Sequence, residues 1–431
     1  MTRHAYRRSA APEPPRHSRA YLWRAGIVLV GVVAVAAGVT PAFRAMHTPD
    51  LIARGPGVGA VTSLSAWHRA LAGTPGDTPV YELRGARPGG TVLVLGGTHA
   101  DEPAGYLAAV VLVEQAIVEA GRVIVIPRAN ASGFTHNYPQ EAHPDSFAID
   151  TPSGARRFAY GARATNPVHQ WPDPQVYTLP GSGQALSGSE TRNLNRAYPG
   201  RADGTLTEQV AFAITTLIRR ERVDLAIDLH EASPEYPVVN TIVTHQRAED
   251  LAATANMRMQ AADIAIGLET SPVNLHGLSH REWGDATPAF AVLMESTNPA
   301  QGRLRGATTA ALVTGGRDRF YVLASARGRL SVPFPDAGWP LSTRVARHLA
   351  GLTALAAALG DLYPDKALSI RGVPEYGSIV ARGLGAYLSP SMHKDGNVRV
   401  PSGLSAERAQ SATSAEDRSW PPLRAEELRT P

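Results

Sequence analysis

Four short apolar runs mark the central part of the chain: 91–95 (TVLVL), 122–126 (RVIVI), 223–228 (VDLAID) and 290–294 (FAVLM). Each is too short for an ordinary helix, and their β-branched and aliphatic content predicts strands, the first two buried. Between and after them, 103–120, 205–221, 248–266 and the Ala/Leu-rich stretch 342–362 read as helices, with Thr205 near a helix cap. Strands alternating with helices predict an α/β fold, a largely parallel or mixed central sheet with helices on both faces. Residues 130–200 are rich in Gly, Pro, Asn and Ser. A loop of that length inside a compact domain is usually functional. No internal repeat is visible.

The pattern changes at the N-terminus. Residues 25–43 carry no charge, and Arg3, Arg7, Arg8, Arg16, Arg19 and Arg24 precede them. As a helix this stretch spans roughly 28 Å, enough for a bilayer core. The basic flank places its own side in the cytoplasm and the bulk of the chain outside. A cleaved signal peptide is the rival, because Thr40-Pro41-Ala42 offers small residues near the end of the run. A buried core helix fits less well, since the run has no amphipathic period. Residues 44–60 (RAMHTPDLIARGPGVGA) read as a linker whose glycines neither follow a strand nor open a helix, so they form no phosphate loop.

Composition narrows the chemistry. Hydrophobic residues make up 43% of the chain, enough to build a sizeable core. The formal net charge is only +4, and the N-terminal arginines carry much of it, so no nucleic-acid footprint is indicated. Cysteine is absent. That excludes disulfides, thiolate metal sites and a thiol nucleophile, and any metal must be held by His, Asp and Glu. No G-x-S-x-G motif marks a serine nucleophile.

Four segments carry candidate chemistry, each just past an expected strand or in the long loop, where open α/β sheets gather ligands. Gly96-Gly97-Thr98-His99-Ala100-Asp101-Glu102 offers an imidazole and a carboxylate in H-x-x-E spacing. Asp228-Leu229-His230-Glu231 ends a strand with a second imidazole. His99, Glu102 and His230 together make the three-ligand set of a catalytic zinc site whose fourth position is open to water. Glu295 ends an apolar strand, where a carboxylate is costly unless used, and a general base for a zinc-activated water needs that placement. Arg192-Asn193-Leu194-Asn195-Arg196 combines arginines and amides that suit a substrate carboxylate and a developing oxyanion.

The order GGTHADEPAG, PRANASG, NLNRAYPG, IDLHEAS, VLMES resembles the zinc carboxypeptidase superfamily, above all its succinylglutamate desuccinylase/aspartoacylase branch, from about Thr91 to Ser296. The resemblance implies a zinc-carboxypeptidase-like sheet holding one Zn2+ per chain on His99, Glu102 and His230. It implies that Glu295 is the catalytic base and later acid, and that Asn195 and Arg196 grip a substrate carboxylate. Arg192 is the candidate for the oxyanion, with Arg156, Arg157 and Arg163 as rivals. Asn193 stands where the family usually has Asp, and an amide holds a ligand histidine less firmly than a carboxylate. A long helix stands where the branch tends to carry a β-rich C-terminal domain.

The expected organisation is a basic, disordered cytoplasmic tail (1–24), a transmembrane anchor (25–43), a linker and domain start (44–78), a zinc hydrolase domain (79–365) and a partly disordered C-terminal extension (366–431). The expected activity is hydrolysis of an amide bond in an N-acyl amino acid or other small or peptide-like carboxylate substrate, on the extracytoplasmic face. An extracytoplasmic carboxypeptidase and a non-catalytic binding protein on the same scaffold are the alternatives, and the retained Glu295 speaks against the second.

Overall fold

The structure, a computed structural model, describes residues 18–390. The ends of the expected tail and C-terminal extension, 1–17 and 391–431, lie outside the described residues. The chain divides into two compact units between Thr48 and Pro49.

Among the described residues the first unit contains one helix, α1 (Arg19–Met46), capped by Ser18, whose hydroxyl accepts from the Tyr21 N–H. Apolar side chains from Ile27 to Val39 are exposed all round it. By length and composition it is the one helix among the described residues able to cross a membrane. It contains the expected 25–43 segment and runs on into the expected linker.

The second unit is a mixed α/β domain. Its strands are β1 (Val58–Ser63), β2 (Pro79–Arg84), β3 (Arg87–Leu95), β4 (Ile117–Ile126), the hairpin strands β5 (Ser146–Thr151) and β6 (Gly154–Ala159), the pair β7 (Val176–Thr178) and β8 (Ala185–Ser187), then β9 (Leu225–Ala232), β10 (Thr241–Thr244), β11 (Gly267–Thr270), β12 (Phe290–Thr297) and β13 (Ser369–Arg371). Its helices are α2 (Pro103–Gln115), α3 (Leu206–Arg220), α4 (Glu249–Ala261), α5 (Ser279–Ala286), α6 (Ala310–Gly315), α7 (Arg319–Ala326), α8 (Leu341–Leu362) and α9 (Tyr376–Arg382). The main sheet runs β1-β2-β4-β3-β9-β12-β10-β11, with β13 added beside β4. Its centre, β4-β3-β9-β12, is parallel, and antiparallel pairings begin on either side at β2 and β10.

Side-chain alternation sorts this sheet into two cores. Val92, Val94, Ile227, Leu229, Val292 and Met294 face one core together with residues of α2, α4 and α8. Leu93, Leu95, Ala226 and Ala291 face the other, against α3 and Trp283 of α5. By the same period of two, Asp228 and His230 share a face of β9 with Ala226, whereas Glu231 points toward α8. On β12, Glu295 shares its face with Ala291, and register sets it directly beside His230.

Several boundaries depart from expectation. The helix expected at 103–120 ends at Gln115, because Ile117 and Val118 enter a ten-residue strand. β4 pairs with β3 on one side and β2 on the other, and that ladder outweighs local helix preference. β1 begins inside the expected linker. The long polar stretch holds two hairpins and several 3-10 turns. α3 matches its expected span closely, and Thr205 closes a capping box with Glu208.

Candidate metal centre and catalytic site

Two glycines bring the first ligands into place. Gly97 turns the chain after β3 with φ +66°, and a Cβ there would lie 2.9 Å from the Pro127 carbonyl oxygen. Gly105, in the first turn of α2, lies so close to β9 that a Cβ would meet the Leu229 oxygen at 2.2 Å. Glu102 is the N-cap residue of α2, and Pro103 follows at the first helical position. The N-terminus of α2 is therefore pressed against the carboxyl end of β9, where His230 sits.

The result is convergence of the three expected ligands, all buried. One ligand atom from each of His99, Glu102 and His230 lies within 4.8 Å of the others. Both imidazoles turn Nδ1 inward: His99 Nδ1 is 2.7 Å from Glu102 Oε1, and His230 Nδ1 is 2.9 Å from Glu102 Oε2. Both turn Nε2 outward onto fixed oxygens, Asn193 Oδ1 at 2.9 Å for His99 and Asp228 Oδ2 at 2.8 Å for His230. Asp228 is itself held by the Thr98 hydroxyl at 2.9 Å. Two inward nitrogens and a carboxylate, with outward nitrogens anchored, form a donor set that fits Zn2+.

Electrostatics differ between the two rings. Burial pushes His99 down to about 4, and the Arg163 cation adds to that effect, so it is a neutral imidazole at pH 7. Burial also disfavours the His230 cation, but the Asp228 and Glu102 carboxylates outweigh it and hold His230 well above its usual range. A metal ion at its Nδ1 would replace that proton.

Glu295 stands on the neighbouring strand without contacting the ligand atoms through any hydrogen bond among the described residues. Its Oε2 is buried and has no hydrogen-bond partner among those residues. Burial pushes its carboxyl up to about 8; His230 pulls against this and Glu102 adds to it. Glu231 and Glu282, also buried carboxylates, are engaged elsewhere. Glu231 pairs with Arg344 of α8 at 2.6 Å, and Glu282 binds His276 Nδ1 and the Gly277 N–H.

The candidate arginines differ in what they contact. Arg192 is tied to Asp173 through Nε and Nη2, at 2.7 and 2.9 Å, and to the Thr165 carbonyl through Nη1. All three of its nitrogens are thus committed to oxygens of Asp173 and Thr165. Arg156 is buried against Glu114, and Arg157 bonds the Ser146 hydroxyl on the β5–β6 hairpin. Arg163 is the arginine that reaches the cluster, with Nη1 at 3.1 Å from Glu102 Oε1 and 3.2 Å from His99 Nδ1. Arg196 lies in the field of Arg163, Glu190, Glu295 and Glu102, with its Nε 3.9 Å from Glu190 Oε2. Asn195 is buried, and its Oδ1 accepts from the Ser279 N–H at 2.8 Å, at the start of α5.

Asp228, Thr98 and Glu190 escaped sequence reasoning. Asp228 carried a signal, since two residues before a strand histidine is the same face. Thr98 and Glu190 carried none.

The catalytic-domain model of the succinylglutamate desuccinylase/aspartoacylase family matches residues 181–284. That segment contains Asn193, Asn195, Arg196 and His230; His99 and Glu102 precede it and Glu295 follows it. A succinylglutamate desuccinylase from Silicibacter sp. TM1040 is 21% identical, with 51% of this chain and 53% of that one covered and a TM-score of 0.32. The product-bound ectoine utilization protein of Ruegeria pomeroyi is 22% identical, over 51% and 53%, with a TM-score of 0.32. A metallo-carboxypeptidase from Burkholderia cenocepacia is 11% identical, over 74% and 68%, with a TM-score of 0.42. This chain thus spans about half the length of the first two. No curated protein matches it by sequence.

Proposed function

We propose that this chain, whose residues 181–284 match the catalytic-domain model of the succinylglutamate desuccinylase/aspartoacylase family, is a zinc-dependent hydrolase of an amide bond in a small, carboxylate-bearing N-acyl or peptide-like substrate. The observation that carries the reading is the convergence of His99 Nδ1, His230 Nδ1 and the Glu102 carboxylate beside the unpartnered Glu295 oxygen.

His99, Glu102 and His230 hold the ion. When bound, Zn2+ supplies Lewis acidity, polarising a carbonyl and bringing a water's pKa toward about 7. The rest falls to the side chains. Glu295 takes a proton from the attacking water at its free carboxylate oxygen and returns it to the leaving amine nitrogen. Arg163 presents its guanidinium beside His99 and Glu102, where negative charge grows on the former carbonyl oxygen. Arg196 binds the substrate carboxylate, and Asn195 fixes that loop to α5.

Helix α1 anchors the chain as a single membrane span. Arg19, Arg24 and the arginines before them stay on the cytoplasmic side, and the hydrolase unit works outside.

The test combines metal analysis with Glu295→Gln. The proposal expects one zinc per chain in both proteins and a kcat lower by roughly 10²–10⁴-fold in the variant. Wild-type turnover in Glu295→Gln would make Glu295 structural. Loss of zinc with it would make Glu295 a ligand. A panel of N-acyl amino acids and peptides then separates deacylase from carboxypeptidase by which product is released.

A further inference from the structure

The two ligand histidines are held differently. His230 Nε2 meets a carboxylate directly, at Asp228. His99 Nε2 meets an amide, at Asn193. A carboxylate stands one step further out: Asn193 Nδ2 donates to Glu190 Oε2 at 2.7 Å.

The orientation of the Asn193 amide follows from its neighbours. The Asn195 backbone N–H lies 3.0 Å from the Asn193 atom facing His99, and an N–H can only donate, so that atom is the carbonyl oxygen. The opposite atom is then the NH2 group, and Glu190 is the acceptor that matches it. With an oxygen at Asn193 Oδ1, His99 Nε2 must carry a ring proton, and Nδ1 is the ring nitrogen left for a metal ion beside Glu102. Reversing the amide would set NH2 against both the Asn195 N–H and the His99 Nε2–H.

Glu190 sits in the 3-10 turn Gly188–Arg192, immediately before the Leu194–Arg196 turn. Its Oε2 also lies 3.9 Å from Arg196 Nε. One carboxylate oxygen thus faces both the amide that holds His99 and the guanidinium assigned to substrate.

We propose that Glu190 is a positioning residue for the metal centre: by fixing the Asn193 amide it fixes the His99 tautomer, and it replaces, one hydrogen bond removed, the carboxylate that this chain lacks at position 193. The inference rests on the assignment of His99 as a zinc ligand.

The arrangement makes an asymmetric demand. Asn193→Asp alone sets two carboxylates at hydrogen-bond distance and leaves Glu190 without a donor. Glu190→Gln in the same chain supplies an amide that donates to the new carboxylate at position 193, and the pair works with donor and acceptor exchanged. Partners that fix a ligand histidine are typically worth about 10–100-fold in metal affinity.

The experiment measures zinc affinity by chelator competition on the full-length chain in detergent, near neutral pH, and the His99 tautomer by ¹⁵N–¹H NMR without added metal. Glu190→Ala is expected to weaken zinc binding by about 10–100-fold and to remove the single Nε2–H tautomer signal. Asn193→Asp is expected to weaken zinc binding by a similar factor, and Glu190→Gln/Asn193→Asp to return to within a few fold (~3) of wild type. Unchanged affinity in Glu190→Ala, or Asn193→Asp binding zinc more tightly than wild type, overturns the proposal. If Glu190→Ala does not fold, the single-against-double comparison at position 193 still decides it. A wild-type chain that binds no stoichiometric zinc defeats the functional reading instead, and the tautomer signal then decides the role of Glu190 separately.

Discussion

Arg344→Met is the substitution whose cost the structure defines most closely. Arg344 of α8 and Glu231 of β9 are both fully buried and lie 2.6 Å apart. Glu231 has one other partner, the Ala104 N–H at 2.9 Å, in the first turn of α2. Burial already pushes Glu231 up to about 7 with Arg344 beside it. Removing the guanidinium strands a buried carboxyl group and leaves the carbonyl of Val313 without its donor. Breaking one side of a buried pair typically costs about 3–5 kcal/mol. Replacing both sides by apolar groups removes the stranded carboxyl; the Val313 carbonyl is orphaned in both variants, and Arg344→Met/Glu231→Leu newly orphans the Ala104 N–H, at about 1–3 kcal/mol. The double variant is therefore expected to be more stable than Arg344→Met alone, with a coupling energy of at least about 2 kcal/mol. Urea unfolding of the 49–431 unit, followed by tryptophan fluorescence, measures all four corners of the cycle. A loss below about 1 kcal/mol in Arg344→Met, or a double variant as costly as the two singles added, would refute this account of the pair.

Other expectations concern the site and its setting. His99→Ala and His230→Ala should each abolish stoichiometric zinc, since each removes one of three protein ligands; elemental analysis showing one tightly held zinc in either would disprove the ligand set. Arg163→Ala should lower kcat by roughly 10²–10³-fold with zinc retained, whereas Arg192→Ala should act mainly on stability through the loss of Asp173 and Thr165 contacts. Steady-state kinetics beside thermal unfolding tells the two apart, and the reverse pattern would return the oxyanion role to Arg192. A reporter fused after residue 431 should be active only on the outer side of the membrane, and cytoplasmic activity would remove the anchor topology.

Much of the site was legible because its ligands end strands. TVLVL and VDLAID announce buried strands, and the residues just beyond them, His99 and His230, lie at the carboxyl edge where a parallel sheet opens. The place of Glu295 near a strand end, beside His230, was legible for the same reason. The arginines were not, because no local pattern distinguishes a guanidinium that faces the cluster from one bound to a distant carboxylate. Arg163 and Arg192 sit in the same polar stretch, and only the tertiary pairing of Arg192 with Asp173 separates them. The edge strands β1 and β11 escaped because they are short and largely solvated, with no hydrophobic alternation to mark them.

Gly105 has a consequence beyond packing. It contributes no atom to the cluster, yet its missing side chain sets how near the start of α2 comes to β9, and with it the gap between Glu102 and His230. Any side chain there acts as a shim between helix and sheet. Ions differ in the bond lengths and angles they accept, so the choice of ion in this fold is adjustable from a position that never touches it. Selection for a different metal could act there while leaving both histidines and the glutamate unchanged.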